Sequence, residues 1–304
     1  MLKRFLKWFA IAAVLSVVFT VNGTAFADSA KEEESINEKF GLPVVVYGEA
    51  LSEAQKEKVR ELLEVTDPGK VKEITVTGED LVHYIKGDPH SNMYSSAKIT
   101  RKDAGEGLVI NQVTPENITE VTDEMYSNAL LTAGIEDAVV DVASPVKVSG
   151  HSALVGIYKA YDQGEGAPLD QERTEVANDE LNLATDLAKK EGLDQDKVSE
   201  LLTEIKKEIA EQNPATKEEI EQIVDEKLKA LEINLSPEDR QLLIDLFDRM
   251  RDLNINFDNV RNQLEDLTGD IQKRIDEAVG DEGFLQSVSN FFKELIESIK
   301  GLFS

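Results

Sequence analysis

The sequence predicts an α+β protein in which a mixed, sandwich-like α/β domain is followed by an all-helical bundle. Short valine-rich segments alternate with capped helical segments between residues 43 and 144. From Gly150 onward, the spacing of apolar residues changes from about two to about 3.6. Pro145 stands at this change and is typical of a strand end. We therefore predict an α+β domain at residues 43–148 and a helical domain at residues 149–304.

The α+β domain begins with a strand at residues 43–47, where three consecutive valines favour a buried strand. Ser52 and Gln55 have the spacing of a capping box and predict a helix after them. The five residues 103–107, two of them glycine, predict a hairpin loop between two strands. The predicted order is β-α-β-(α)-β-β-α-β, with later elements at residues 74–76, 81–85, 97–102, 108–113, 122–134 and 138–143.

The segment 122–162 links the two predicted domains. Thr122 is a favourable N-cap, and Gly134 is typical of a helix end that requires a positive φ. After the strand at 138–143, Ser149 and Gly150 open a helix with an apolar face of Leu154, Ile157, Tyr158 and Tyr161. Gly156 inside this helix predicts close packing against a neighbouring element, because an interior glycine otherwise destabilises a helix.

The helical domain is divided by recognisable caps. Asn213-Pro214 ends one helix, and Thr216 with Glu219 forms a capping box for the next. Ser236 precedes a proline and two carboxylates, which is typical of a helix start. Short links favour antiparallel neighbours, and the predicted helices cover residues 170–190, 195–212, 216–232, 237–253, 257–279 and 283–303.

Several short blocks in this region also resemble a known family. The blocks are Met125 to Leu130 with Ala133-Gly134, then Val142 to Pro145, then Ser149-Gly150 with Ala153-Leu154, Gly156 and Lys159-Ala160. They are similar to the YpuA-like family, exported Gram-positive proteins built on a domain of unknown function. The resemblance extends from about residue 44 to the C-terminus, and His151 departs from it at a position where small residues are usual. It implies export, a two-part architecture and a role at the cell envelope, and it offers no catalytic residues.

The first 27 residues have the pattern of a secretory signal peptide. Lys3, Arg4 and Lys7 precede an apolar run at residues 8–21, and Ala25-Phe26-Ala27 supplies the small-residue cleavage pattern. The alternative is a transmembrane anchor, but the run is short for a span of about 20 residues. We therefore expect cleavage after Ala27, a flexible acidic segment at residues 28–42, and a secreted or cell-surface protein outside the cytoplasm.

Charge and composition exclude several classes of function. Removing residues 1–27 takes away three basic residues and no acidic residue, so the net charge falls from −27 to −30. Such a surface repels nucleic acid and anionic lipid headgroups, and we expect no nucleic-acid partner. The chain contains no cysteine. Disulfides, thiol catalysis and iron–sulfur clusters are therefore excluded.

Ser152 and His151 are weak candidates for catalysis. They follow Gly150 at the start of a predicted helix, but Leu154 replaces the last glycine of a nucleophile elbow. We favour an ordinary helix entry over a serine nucleophile. The other histidines, His83 and His90, lack the spacing of a zinc site, so no metal site is predicted.

Calcium and phosphate motifs are absent from the sequence as well. Asp194-Gln195-Asp196 starts like an EF-hand, but Val198 follows where an oxygen ligand is required. We interpret this segment as a helix start. No phosphate-binding glycine loop is present, so we expect no cofactor beyond weak divalent-cation binding by the acidic surface.

The last predicted helix, residues 283–303, is strongly amphipathic. One interpretation is that its apolar face completes the bundle core. The other is that it contacts a partner protein or the membrane surface, with a protein favoured because its basic and acidic residues balance. The candidate partner- or membrane-facing residues are Phe284, Leu285, Phe291, Phe292, Leu295, Ile299 and Phe303.

Taken together, the residues predict a non-enzymatic envelope protein that binds another protein or a wall component. One alternative is a wall or peptide hydrolase that uses Ser152. The other is a cation-responsive stabiliser of the envelope. The sequence does not identify the ligand.

Overall fold

A computed structural model describes residues 39–164, 168–190, 192–253, 255 and 257–280. The first half contains five strands, β1 to β5, at Val44–Gly48, Lys72–Val76, Ser96–Arg101, Leu108–Gln112 and Ala138–Ala143. Three helices lie among them, α1 to α3, at Glu53–Leu62, Gly78–Ile85 and Asp123–Ala133. Six more described helices follow, α4 to α9, at His151–Asp162, Gln171–Lys190, Gln195–Gln212, Lys217–Ala230, Pro237–Asp252 and Arg261–Gly280. The predicted α+β class and the helical C-terminal region are confirmed.

The five strands form one mixed sheet in the order β2-β1-β3-β5-β4. Strand β1 pairs in parallel with β2 and antiparallel with β3, and β5 pairs antiparallel with β3 and in parallel with β4. The predicted hairpin between β3 and β4 is therefore wrong, because β5 lies between them. The link at residues 103–107 spans two strand spacings of about 4.8 Å, which an extended chain of that length reaches easily. The valine-rich β5 is an interior strand, β3 is the central one, and β2 and β4 form the two edges.

Helices cover the sheet unequally. On one face, Val59 and Leu63 of the α1 segment pack against Val45 and Tyr47 of β1. Helices α3 and α4 contact the strands from the other face. The buried residues on that second face continue without interruption into the helical region.

Helix α4 is buried on nearly every side rather than on the single face that the sequence predicted. Ala153, Val155 and Ala160 are as inaccessible as Leu154 and Ile157. The reason is that α4 lies between the sheet and helices α2 and α5. The close packing predicted at Gly156 is confirmed, because an added Cβ there would lie 3.2 Å from a methyl group of Val46.

Helix α5 is the centre of the helical region. It contacts α2, α3, α4, α6 and α8. Helix α6 in turn packs against α7 and α9, so consecutive helices are neighbours from α5 to α8. This arrangement follows from the short links.

The predicted caps are confirmed at most helix starts. Ser52 and Gln55 form their capping box, and so do Thr216 and Glu219. Ser236 accepts the N–H of Asp239. Helix α9 begins at residue 261 rather than 257, because residues 258–260 form a 3-10 turn first.

The boundary predicted at residues 148 and 149 stays a prediction, although α4, assigned to the helical domain, packs on β1 and β3. Cooperative unfolding of an isolated 150–304 fragment would support it. The predicted signal peptide and cleavage at Ala27 lie outside the described residues, as does the helix at 283–303. Within the described ranges, no helix combines the length and apolarity needed to cross a membrane.

Candidate functional site

The sequence candidates His151 and Ser152 lie in the first turn of α4. Gly150 is the N-cap, with φ +107°, and its carbonyl accepts a hydrogen bond of 2.6 Å from the Tyr126 hydroxyl. A Cβ at this position would lie 2.7 Å from Ile118, so the site requires glycine for both conformation and space. A glycine cap has no side chain to offer the helix. Among the described residues, no acceptor meets the N–H groups of His151 and Ser152.

A half-open pocket of about 460 Å³ borders this helix end, and we call it the α4 pocket. It lies between the amino end of α4, helix α2 with the segment that follows it, and the middle of α5. Its volume is within the range of small-molecule sites. The described residues that line it are Leu81, Ile85, Gly87, Ser91, Asn92, Met93, Val148, Ser149, His151, Ser152, Val155, Asn178 and Asn182.

The lining of the α4 pocket is part apolar and part polar, and among the described residues it includes no Asp, Glu, Lys or Arg. Asn178 is its most buried polar side chain, with 8% of its surface exposed. Within the described part of the chain, neither the amide of Asn178 nor the hydroxyl of Ser152 has a hydrogen-bond partner. Although little of Asn178 is exposed, its amide atoms are not sealed from the surface, so a ligand in the pocket can reach them.

The ring of His151 contacts neighbours other than Ser152. Its Nε2 lies 3.1 Å from the Thr185 hydroxyl, and its Nδ1 lies 4.0 Å from a carboxylate oxygen of Glu120. That same oxygen is 2.6 Å from Lys189 Nζ. Burial lowers the pKa of the His151 imidazole below its ordinary value, and Glu120 only partly opposes this effect. The imidazole is therefore neutral at neutral pH.

This geometry provides no base for Ser152. A serine nucleophile needs a neighbouring group that accepts its proton. The described residues show no hydrogen bond between Ser152 and His151, whose two nitrogens are directed at Thr185 and Glu120. The arrangement favours recognition of a ligand over nucleophilic attack, and the catalytic candidacy of Ser152 stays an untested prediction.

The described residues contain no group of three or more His, Cys, Asp or Glu side chains placed to hold a metal ion. His83 and His90 are both exposed. Asp194 accepts the N–H of Asp196 at the start of α6, which confirms that this segment is a helix start. The candidate residues Phe284, Leu285, Phe291, Phe292, Leu295, Ile299 and Phe303 lie outside the described residues.

Sequence reasoning missed a second polar feature, which we call the buried ion-pair cluster: Asn128, Thr132, Glu180, Thr203 and Lys206. Lys206 Nζ lies 2.5 Å from Glu180, and their side chains are 0% and 1% exposed. Lys206 also donates to the Asn128 carbonyl, and Thr132 donates to Glu180 over 2.6 Å. Asn128 donates to Thr203. The cluster joins α3, α5 and α6 and is closed to solvent, so its role is structural.

Asn178 and Asn182 were also missed, although the sequence held a signal for Asn178. Thr174, Asn178, Leu181 and Thr185 follow at helical spacing, and all four are buried. A polar residue within such a stripe indicates either a buried hydrogen-bond network or a binding site. Only the structure distinguishes the two.

Comparison with known proteins identifies the family. The family described as "Protein of unknown function (DUF1002)" matches residues 47–267. The chain belongs to this family. The match includes every residue of the α4 pocket and of the buried ion-pair cluster, so both features lie within the part of the chain that DUF1002 covers.

A curated relative supports the same assignment. The "Uncharacterized protein YpuA" of Bacillus subtilis (strain 168) is 32% identical over 302 residues, which cover 97% of this chain and 98% of the relative. The predicted resemblance to the YpuA-like family is thereby confirmed. No solved structure matches this DUF1002 chain.

Proposed function

We propose that this chain is an exported, non-enzymatic protein of the cell envelope that binds another protein or a wall component. Its export is supported by the basic residues before the apolar run at 8–21 and by the small residues that end at Ala27. The large excess of acidic residues argues against a nucleic-acid partner.

The α4 pocket is the observation that carries the binding part of this proposal. It combines an apolar wall with polar groups that have no partner among the described residues, which is typical of a recognition site. The nearest imidazole, that of His151, is directed away from Ser152. A site with donors but no base for its serine suits binding without turnover.

A pocket-filling variant tests the proposal. Asn182 is exposed on α5 and lines the pocket, so Asn182→Trp should block it. Gln171→Trp is the matched control, because Gln171 is exposed on the same helix and does not line the pocket. After crosslinking of intact cells, the control should recover the same envelope partner as the unmodified protein, and Asn182→Trp should recover much less. Equal recovery by both variants would refute the role of the pocket.

The amphipathic segment at 283–303 is proposed as a second contact, to a partner protein or to the membrane surface. The support is the apolar stripe in its sequence, which includes Phe284, Phe291 and Phe303. Removing residues 283–304 should release the protein from the cell surface without changing its thermal transition. If the truncation abolishes that transition, the segment belongs to the core and the contact is refuted.

A hydrolase is the second candidate, because Ser152 and His151 line the same pocket. Turnover of wall polymer or peptide that is lost in Ser152→Ala would establish this candidate and refute the first. No labelling by serine-directed probes, together with no turnover, is the outcome that the binding proposal expects.

A further inference from the structure

We propose that the α4 pocket binds a carboxylate attached to a short aliphatic group, such as the free C-terminus of a peptide that ends in an apolar residue. This inference rests on the proposed function and specifies the ligand class of its site.

The amino end of α4 supplies the first element of recognition. The N–H groups of His151 and Ser152 have no acceptor among the described residues, and Gly150 offers no capping side chain. Ser149, His151 and Ser152 all line the pocket, so this helix end borders it directly. Free amides and the helix dipole together favour an anion at such a position.

Asn178 supplies an independent second element. Its side chain is 8% exposed, lines the pocket from α5, and has no hydrogen-bond partner in the described part of the chain. Its amide atoms are open to the pocket rather than sealed in the core, so a ligand oxygen there can accept its N–H. The hydroxyl of Ser152 also lacks a partner there. Two backbone donors and two side-chain donors therefore border one pocket.

The charges around the pocket favour a ligand that carries a single negative charge. None of the described residues that line it is Asp or Glu, although the chain contains 60 acidic residues. Glu120 lies near His151, but it is paired with Lys189 at 2.6 Å. No Lys or Arg is found among the described lining residues, and multiply charged phosphates usually bind such residues. A monocarboxylate matches donors without a full positive charge.

The apolar lining of the pocket indicates which kind of group the ligand carries beside its carboxylate. Five apolar side chains form this wall: Leu81, Ile85, Met93, Val148 and Val155. No aromatic ring other than the imidazole of His151 lines the pocket among the described residues, so it offers little stacking surface to a nucleobase. A short aliphatic group fits such a wall by burial of apolar surface.

Calorimetric titration of the purified protein with N-acetyl-leucine and with N-acetyl-leucinamide tests the inference. The two compounds have nearly the same shape and differ in the carboxylate. We expect saturable binding of N-acetyl-leucine and at least about tenfold weaker binding of the amide, a difference that corresponds to about 1.4 kcal/mol. Equal affinity for both compounds, or no binding of N-acetyl-leucine, would overturn the carboxylate assignment.

A matched pair of aspartate substitutions makes the test specific. Asp is favourable in the first turn of a helix, so Ser152→Asp should fold and place its own carboxylate at the free amides. It should abolish binding of N-acetyl-leucine, and the control Gln171→Asp, in the first turn of α5 and outside the pocket lining, should retain binding within about threefold. Equal binding by the two variants would contradict the assignment. Asn178→Leu should weaken binding about tenfold, since it removes one donor.

Failure of this inference is distinguishable from failure of the proposed function. If N-acetyl-leucine does not bind but Asn182→Trp still loses the envelope partner, the pocket is a binding site for another ligand class. If Asn182→Trp recovers the partner normally, the proposed function of the pocket fails, whatever the titration shows. Binding of N-acetyl-leucine in that case would identify a carboxylate site that does not attach the protein to the envelope.

Discussion

Two of the polar side chains that helix α5 buries, Asn178 and Glu180, have opposite surroundings. The two residues are 8% and 1% exposed. Residues two positions apart on an α-helix differ in direction by about 200°, so these side chains point to nearly opposite sides of α5. Glu180 faces α3 and α6, where Lys206 and Thr132 meet its carboxylate. Asn178 lines the α4 pocket, where no described residue meets its amide. A buried polar group with partners holds the fold together, and one without partners that lines a pocket indicates a site for a ligand.

The largest expected effect comes from removing the charge partner of Glu180. Lys206→Met leaves a buried carboxylate unpaired, which should reduce the free energy of unfolding by about 3–5 kcal/mol in urea denaturation. The control is Lys229→Met, because Lys229 is exposed on α7 and should change stability by less than about 0.5 kcal/mol. Adding Glu180→Leu to Lys206→Met should recover most of the loss. A loss below about 1 kcal/mol in the single variant would mean that the Lys206–Glu180 pair is open to solvent rather than buried.

Removing the hydroxyl that donates to Glu180 should have the next largest effect. Thr132→Val keeps the shape of the side chain but deletes a 2.6 Å bond to a charged acceptor, so we expect a loss of about 1.5–3 kcal/mol. Thr185→Val on α5 is the matched neutral case, with an expected loss of about 1 kcal/mol. If both variants lose the same amount, the charge of Glu180 does not strengthen the bond.

Asn178 should show the opposite behaviour in the unliganded protein. Asn178→Leu replaces an unpartnered amide with an apolar group of similar volume, so stability should stay within about 1 kcal/mol or rise. Thermal denaturation of the two proteins measures the difference. A loss of more than about 2 kcal/mol would show that the amide has a structural partner, and the comparison on α5 would then fail.

The smallest effect concerns pH. The folded pKa of His151 is below its ordinary value of 6.5, so the unfolded chain binds its proton more readily. The contribution of His151 to stability is therefore fully present above pH 6.5 and declines as the pH falls below it. Glu120, Lys189, Asp186 and Thr185 are the groups that surround the ring.

A variant isolates that contribution from the other titrating groups. His151→Gln should lose less stability than the unmodified protein between about pH 7 and pH 5.5, because glutamine does not titrate in this range. Urea denaturation at both pH values provides the comparison. A larger loss in the variant would mean that the imidazole is stabilised in its protonated form.

The elements could be predicted because their signals are local. Ser52 with Gln55, Thr216 with Glu219, and Gly134 each determine a helix end through contacts within a few residues. The order of the strands could not be predicted in the same way. The hairpin predicted at residues 103–107 depended on the short link alone, and the pairing of β5 with both β3 and β4 is set by contacts distant in sequence.

The sequence predicted the part of the candidate site that has a local signal and missed the part that depends on contacts distant in sequence. His151 and Ser152 were singled out because they follow a glycine at a helix start, and both line the α4 pocket. Asn178 lies 26 residues later in the sequence, and its position opposite them depends on how α5 packs against α4. The pairing of Glu180 with Lys206 likewise joins two helices, so no local spacing indicates it.

The most direct test of the account is an NMR titration of the isotope-labelled protein with N-acetyl-leucine. We predict that the side-chain amide of Asn178 and the backbone N–H signals of His151 and Ser152 shift together and saturate with one dissociation constant. Signals from residues around Lys206 should not move. Shifts at the α4 pocket that N-acetyl-leucinamide reproduces equally, or no shift at Asn178, would contradict the claim that this helix end and this amide form a carboxylate site.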